Sequence, residues 1–119
     1  MPSRRQQRLN QQLRDEIAKL LRYEIEDPRL AMLISITDVE VAPGLERAKV
    51  FFSVLADDEE AQATLKRLRH AAPFFRRALA ERLNLRHTPQ LDFLLDPSIA
   101  RGARVLGLMR QIQDDRAEP

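Results

Sequence analysis

The stretch RLRHAAPFFRRAL, residues 67–79, decides how the middle of the chain is built. Leu68, Ala72, Phe75 and Leu79 recur at helical spacing with arginines between them, but Pro73 interrupts the run. A proline in a helix interior brings no N–H to the ladder, crowds the preceding turn and costs about 3 kcal/mol. At the first turn of a helix that N–H is unpaired anyway, so the same residue is nearly free. The cheaper arrangement is two helices meeting at a bend over Ala71, Ala72 and Pro73. The upstream helix opens at Asp57, with Glu60 three residues on as in a capping box, and buries Ala61, Leu65, Leu68 and Ala72. The downstream helix buries Phe75, Ala78, Leu79 and Leu83 and stops at Asn84, a residue that tolerates the left-handed conformation.

Upstream, Leu9, Leu13, Ile17, Leu20 and Leu21 mark an amphipathic helix over residues 4–25, ended by Pro28 in EDPRL. In MLISITDVEV, residues 32–41, Ile34 and Ile36 share one parity while Val39 and Val41 share the other. A regular strand cannot face both pairs inward, so the spacing predicts a bulge near Thr37–Asp38. Pro43 and Gly44 then make a turn into RAKVFFSVL, where Ala48, Val50, Phe52 and Val54 alternate; the two runs read as a hairpin. Downstream, TPQLDFLLD (residues 88–96) is a third strand with Pro89 at its tolerated start. A last helix begins at Asp96–Pro97 and buries Ile99, Gly102, Leu106 and Met109. The order α-β-β-α-α-β, with an added C-terminal helix, implies an α+β domain whose helices cover one face of a three-stranded sheet. Residues 1–113 form the domain and 114–119 a short tail.

Chemistry leaves few traces. The chain has no cysteine, and His70 and His87 lack a second histidine at metal-binding spacing, so no metal site is expected. Three glycines, Gly44, Gly102 and Gly107, cannot make a phosphate loop or dinucleotide fingerprint, and no cofactor is expected. No serine lies in a nucleophile-elbow context. The carboxylate pairs Asp57–Asp58 and Asp92/Asp96 read as a helix cap and solvated strand positions, so no catalytic residue is assigned. No segment approaches the roughly 18 apolar residues of a membrane helix, and the basic N-terminus is not followed by an apolar run. The expectation is a cytoplasmic, non-catalytic protein without membrane or small-molecule partners.

Charge is more informative in its distribution than in its total, which is only +2. Residues 1–22 carry six basic against two acidic side chains, and residues 66–87 carry seven against one. Such segments are either solvated helix faces or a surface for a polyanion. Arg4, Arg5 and Arg8 of the first helix, with Lys66, Arg69, His70, Arg76, Arg77, Arg82 and Arg86 around the bend, are the candidate RNA contacts. Aromatic residues are few and no stacking motif occurs in the strands, so backbone and shape contacts should dominate. The competing reading is a protein–protein adaptor domain without direct RNA binding.

Asp27-Pro28-Arg29-Leu30, SITDVEV (35–41), Ala48-Lys49-Val50, and Pro89 with Leu91, Phe93, Asp96 and Ser98 together resemble the ribosome-binding factor A family. The resemblance runs from about Arg4 to Ile112. It implies a KH-like domain of the type II order, binding as a monomer to the free 30S ribosomal subunit through 16S rRNA near the neck and decoding region. It also implies a role in late 16S rRNA maturation, importance for growth in the cold, departure before mature subunits join, and no catalysis. An ordinary KH domain clamps single-stranded RNA with a G-x-x-G loop. The family has an Ala-x-Gly bend there, and this chain has Ala71-Ala72-Pro73. Where many relatives have a Ser-x-Asp hairpin turn, it has Ala42-Pro43-Gly44.

Overall fold

The computed structural model describes residues 2–24 and 33–97. They form α1 (Arg4–Glu24), β1 (Ile34–Val41), β2 (Arg47–Val54), α2 (Asp58–Leu83) and β3 (Gln90–Leu95), an α+β fold. The EDPRL stop, the C-terminal helix and the tail lie outside the described residues.

α1 begins with a reciprocal cap that the hydrophobic spacing did not reveal. Ser3 Oγ accepts from the Gln6 N–H at 3.1 Å, and Gln6 Oε1 accepts from the Ser3 N–H at 2.8 Å. No acidic residue lies in the first turn of α1, so Arg4 and Arg5 sit against the positive end of the helix dipole. α2 starts as expected: Asp57 accepts from the Glu60 N–H at 2.8 Å, and Asp58, Glu59 and Glu60 crowd the first turn. It ends at Asn84, with φ 50° and ψ 43°.

The two-helix reading of residues 57–83 is corrected. α2 is one helix of 26 residues, with Pro73 inside it. Leu65, Leu68, Ala71, Phe75 and Leu79 are buried, and their spacing of three or four continues through the proline. Fully burying Phe75 and Leu79 in that phase contributes about 1.5–3 kcal/mol each, which offsets one missing hydrogen bond. Pro73 and Arg69 are both exposed, so the ring meets solvent and the Arg69 carbonyl can tilt towards water.

The sheet order is β1-β2-β3, with β1 and β2 antiparallel and β2 and β3 parallel. The predicted bulge is present. Register shifts between Ile36 and Asp38, leaving Thr37 as the extra residue, so Ile34, Ile36, Val39 and Val41 all enter the core. Ala48, Val50, Phe52, Leu91 and Phe93 continue that face, and both helices pack against it. Phe75 reaches Phe93 with ring centroids 5.4 Å apart. The Thr37 hydroxyl donates to Asp96 Oδ2 at 2.6 Å, tying the bulge to the end of β3.

Two polar side chains one helical turn apart lock α1 to the end of β1. Gln6 Nε2 donates to the Val41 carbonyl at 3.1 Å, and Asn10 Oδ1 accepts from the Val41 N–H at 2.8 Å. Val41 lies on an edge strand, and Asp38 takes the Val39 N–H in the same way at 2.9 Å. Backbone groups at the Val39–Val41 end of this edge are thereby occupied by side chains. In the hairpin turn, the Leu45 N–H donates to the Ala42 carbonyl at 2.8 Å. The left-handed residue is Leu45 (φ 61°) rather than Gly44.

Candidate nucleic-acid interface

Strand topology brings distant basic residues to one end of the sheet. β1 ends there, and β2 and its parallel neighbour β3 both begin there. The Gln90 N–H donates to the Glu46 carbonyl at 2.9 Å, which seats the α2–β3 connection beside the hairpin turn. The clamp on Val41 brings the start of α1 to the same end. Between these parts lies a cleft of about 950 Å³. Arg5 and Arg8 from α1, Arg76 from α2 and Arg86 from the connection line it. Gly44–Arg47 of the hairpin, Leu9, Gln12, Leu85, His87, Thr88 and Gln90 complete the lining.

The charges in this cleft are largely uncompensated. Glu46 is its only acidic lining residue among the described residues. Arg5, Arg8, Arg76 and Arg86 have no carboxylate partner among the described residues. Arg47 differs: its Nε and Nη2 each lie 3.2 Å from an Asp92 carboxylate oxygen. Those hydrogen bonds, and then the negative charge, raise its pKa above the ordinary arginine value. Arg76 is half-buried, and its Nη2 donates to the Thr88 carbonyl at 3.1 Å. Its Nε is buried and makes no hydrogen bond among the described residues. A buried donor left without an acceptor costs about 1–3 kcal/mol, so an acceptor entering the cleft would be favoured there.

Lys66, Arg69 and His70 form a second group, around a shallower depression of about 560 Å³ on α2 with Gln62 and Leu65. Arg69 also borders the β3 side of the sheet beside Arg47, Lys49 and Asp92. Arg4 and Arg77 are exposed and line neither depression. Arg82 faces inward charge: its Nη1 is 3.3 Å from Glu16 Oε2, and Lys19 approaches the other oxygen of Glu16 at 3.6 Å. The ten sequence-predicted residues therefore divide into a cleft set, a helix-face set, two outliers and one residue engaged by α1.

Sequence reasoning missed the contributions of Gln12, Leu45, Arg47, His87 and Gln90 to the cleft. His87 and Gln90 flank the Thr88-Pro89 strand start, and Leu45 follows the Pro-Gly turn. Those local signals say where the elements change but not that two such junctions meet. Among the described residues, no group of three His, Cys, Asp or Glu side chains could hold a metal ion. Among the same residues, no helix is long and apolar enough to cross a membrane.

The profile of ribosome-binding factor A matches residues 5–109. The ribosome-binding factor A of Thermomicrobium roseum is 48% identical over 116 residues, covering 98% of this chain and 89% of that protein. The solution structure of a Thermotoga maritima protein described as a putative ribosome binding factor A superposes with a TM-score of 0.66 at 27% identity, over 79% of this chain and 89% of that one. A Thermus thermophilus ribosome binding factor A homology model, fitted into a cryo-EM map of a 30S–RbfA complex, gives a TM-score of 0.59 at 30% identity, over 71% and 87%. With residues 5–109 matched by the family profile and a relative 48% identical over 98% of this chain, the chain belongs to the ribosome-binding factor A family.

Proposed function

We propose that the chain binds the free 30S subunit through 16S rRNA and assists a late step in maturation of that RNA. It does so without catalysis, as a cytoplasmic monomer, and matters most for growth in the cold. The reading is supported by the Thermus thermophilus relative fitted into a map of a 30S complex. The observation that carries it on this chain is the convergence of Arg5, Arg8, Arg76 and Arg86, from three separate parts of the sequence, on one cleft. Four arginines lining one cleft outnumber its described carboxylate, Glu46, and a phosphate backbone relieves the repulsion left among them. Lys66, Arg69, His70 and Arg77 extend the contact along α2; Arg4 adds to the α1 end, and Arg82 joins only by giving up Glu16. Rigid helices fix the pattern of these side chains, so an RNA whose phosphates match it binds best. Binding one conformation of the maturing subunit more tightly than another shifts the population towards it.

Co-sedimentation of the protein with isolated small subunits tests this. Four phosphate contacts give a log–log dependence of affinity on salt with a slope of about −3. Reversing Arg5 and Arg8 to glutamate should reduce pelleting at least tenfold and flatten that slope. Unchanged, salt-insensitive pelleting of the double variant would instead favour a protein–protein adaptor.

A further inference from the structure

The cleft is shaped for more than phosphate. Resting on the reading that this chain binds RNA, we propose that the cleft receives a single nucleotide turned out of an RNA helix. Its phosphate lies among the arginines, and its base rests against the leucines.

Several independent features point this way. The cleft, at about 950 Å³, is concave and within the size range of pockets that enclose a small ligand. Phosphates along an intact duplex need only an open basic face, because A-form RNA is read across its shallow groove and backbone. Leu9, Leu45 and Leu85 contribute apolar surface to the lining. A site built for phosphate alone has no use for such surface, whereas the face of a base does. Gln12 and Gln90 bring amides with both donors and an acceptor. A phosphodiester offers only acceptors, while the edge of a base offers both. The Arg76 Nε–H is buried without an acceptor among the described residues, and its guanidinium is anchored through Nη2 on the Thr88 carbonyl. Turning Nε towards the cleft gives a phosphate oxygen a donor that has no protein partner to lose. Leu45 holds a left-handed backbone that a bulky residue adopts only under strain, as residues at binding sites often do. Bases unstacked from loops and bulges are also the usual points of sequence-specific RNA recognition, on aromatic or guanidinium planes.

The test uses three fluorescent RNA hairpins with the same stem: one perfectly paired, one with a single bulged adenosine and one with an abasic bulge. Binding to the full chain is followed by anisotropy at one salt concentration. The bulged adenosine RNA should bind about tenfold more tightly than the paired one, and the abasic bulge should lose most of that gain. Gln12→Ala combined with Gln90→Ala, both at exposed positions, should bring the ratio of the two dissociation constants down to about two. Arg76→Lys keeps the positive charge but removes the Nε–H, and should lower the ratio likewise, with circular dichroism confirming the fold. Equal binding of all three RNAs, or ratios unmoved by these variants, overturns the nucleotide site while leaving RNA binding standing. Absence of binding to any of the RNAs, at low salt as well, overturns both.

Discussion

Pro73 stands in the exposed middle of α2 and has no N–H to offer the Arg69 carbonyl. A local rule for proline favours a helix start there, and it loses to the spacing of buried residues. Leu65 and Leu68 before it, and Phe75 and Leu79 after it, lie on one stripe, whereas a break would have reset the phase. The stripe was visible in the sequence; its weight was not, because that depends on how deeply Phe75 sinks against Phe93. Replacing Pro73 with alanine separates the two descriptions. Inside a continuous helix the change restores a hydrogen bond and helix propensity, less a small gain in unfolded-chain entropy, for a net stabilisation of about 2 kcal/mol. The melting temperature should then rise by several degrees. A helix that began at Pro73 would show no gain.

At the scale of elements, β1 was the most legible, because its apolar residues change parity at a single point. The bulge at Thr37 is the one arrangement that turns Ile34, Ile36, Val39 and Val41 to the same side. Deleting Thr37 removes the parity change, so Ile34, Ile36, Val39 and Val41 alternate as in a regular strand and all face the core without a bulge. The variant loses the Thr37–Asp96 hydrogen bond, worth about 0.5–1.5 kcal/mol, and keeps its apolar face. Urea denaturation of the deletion variant should therefore stay cooperative, with a midpoint only modestly below that of the parent. The asparagine and glutamine clamp of α1 on Val41 was not legible. Gln6 and Asn10 look like ordinary polar-face residues until the strand edge beside them is known. The caps at Asp57 and Asn84 were legible because each is satisfied within a few residues of itself.

At the scale of the whole molecule, the cleft is a product of topology. Positions 5, 8, 45, 76 and 86 meet only because β1 ends where β2 and β3 begin, and no local pattern encodes that meeting. The charge census marks two basic segments, yet it does not sort Arg76, whose Nε has no acceptor among the described residues, from Arg82, which Glu16 engages. The head of α1 shows the same global demand overriding a local preference. Arg5→Glu places a carboxylate at the positive helix end and should raise stability by about 0.3–1 kcal/mol in thermal melts, while it weakens pelleting with small subunits. Opposite signs in the two measurements would mark a compromise made for binding. An unengaged copy of this protein thus carries electrostatic tension at its first turn, and docking relaxes it. Attachment and repose at that terminus are one event, so hydrogen exchange in the leading residues of α1 should slow on the subunit even where RNA touches no backbone.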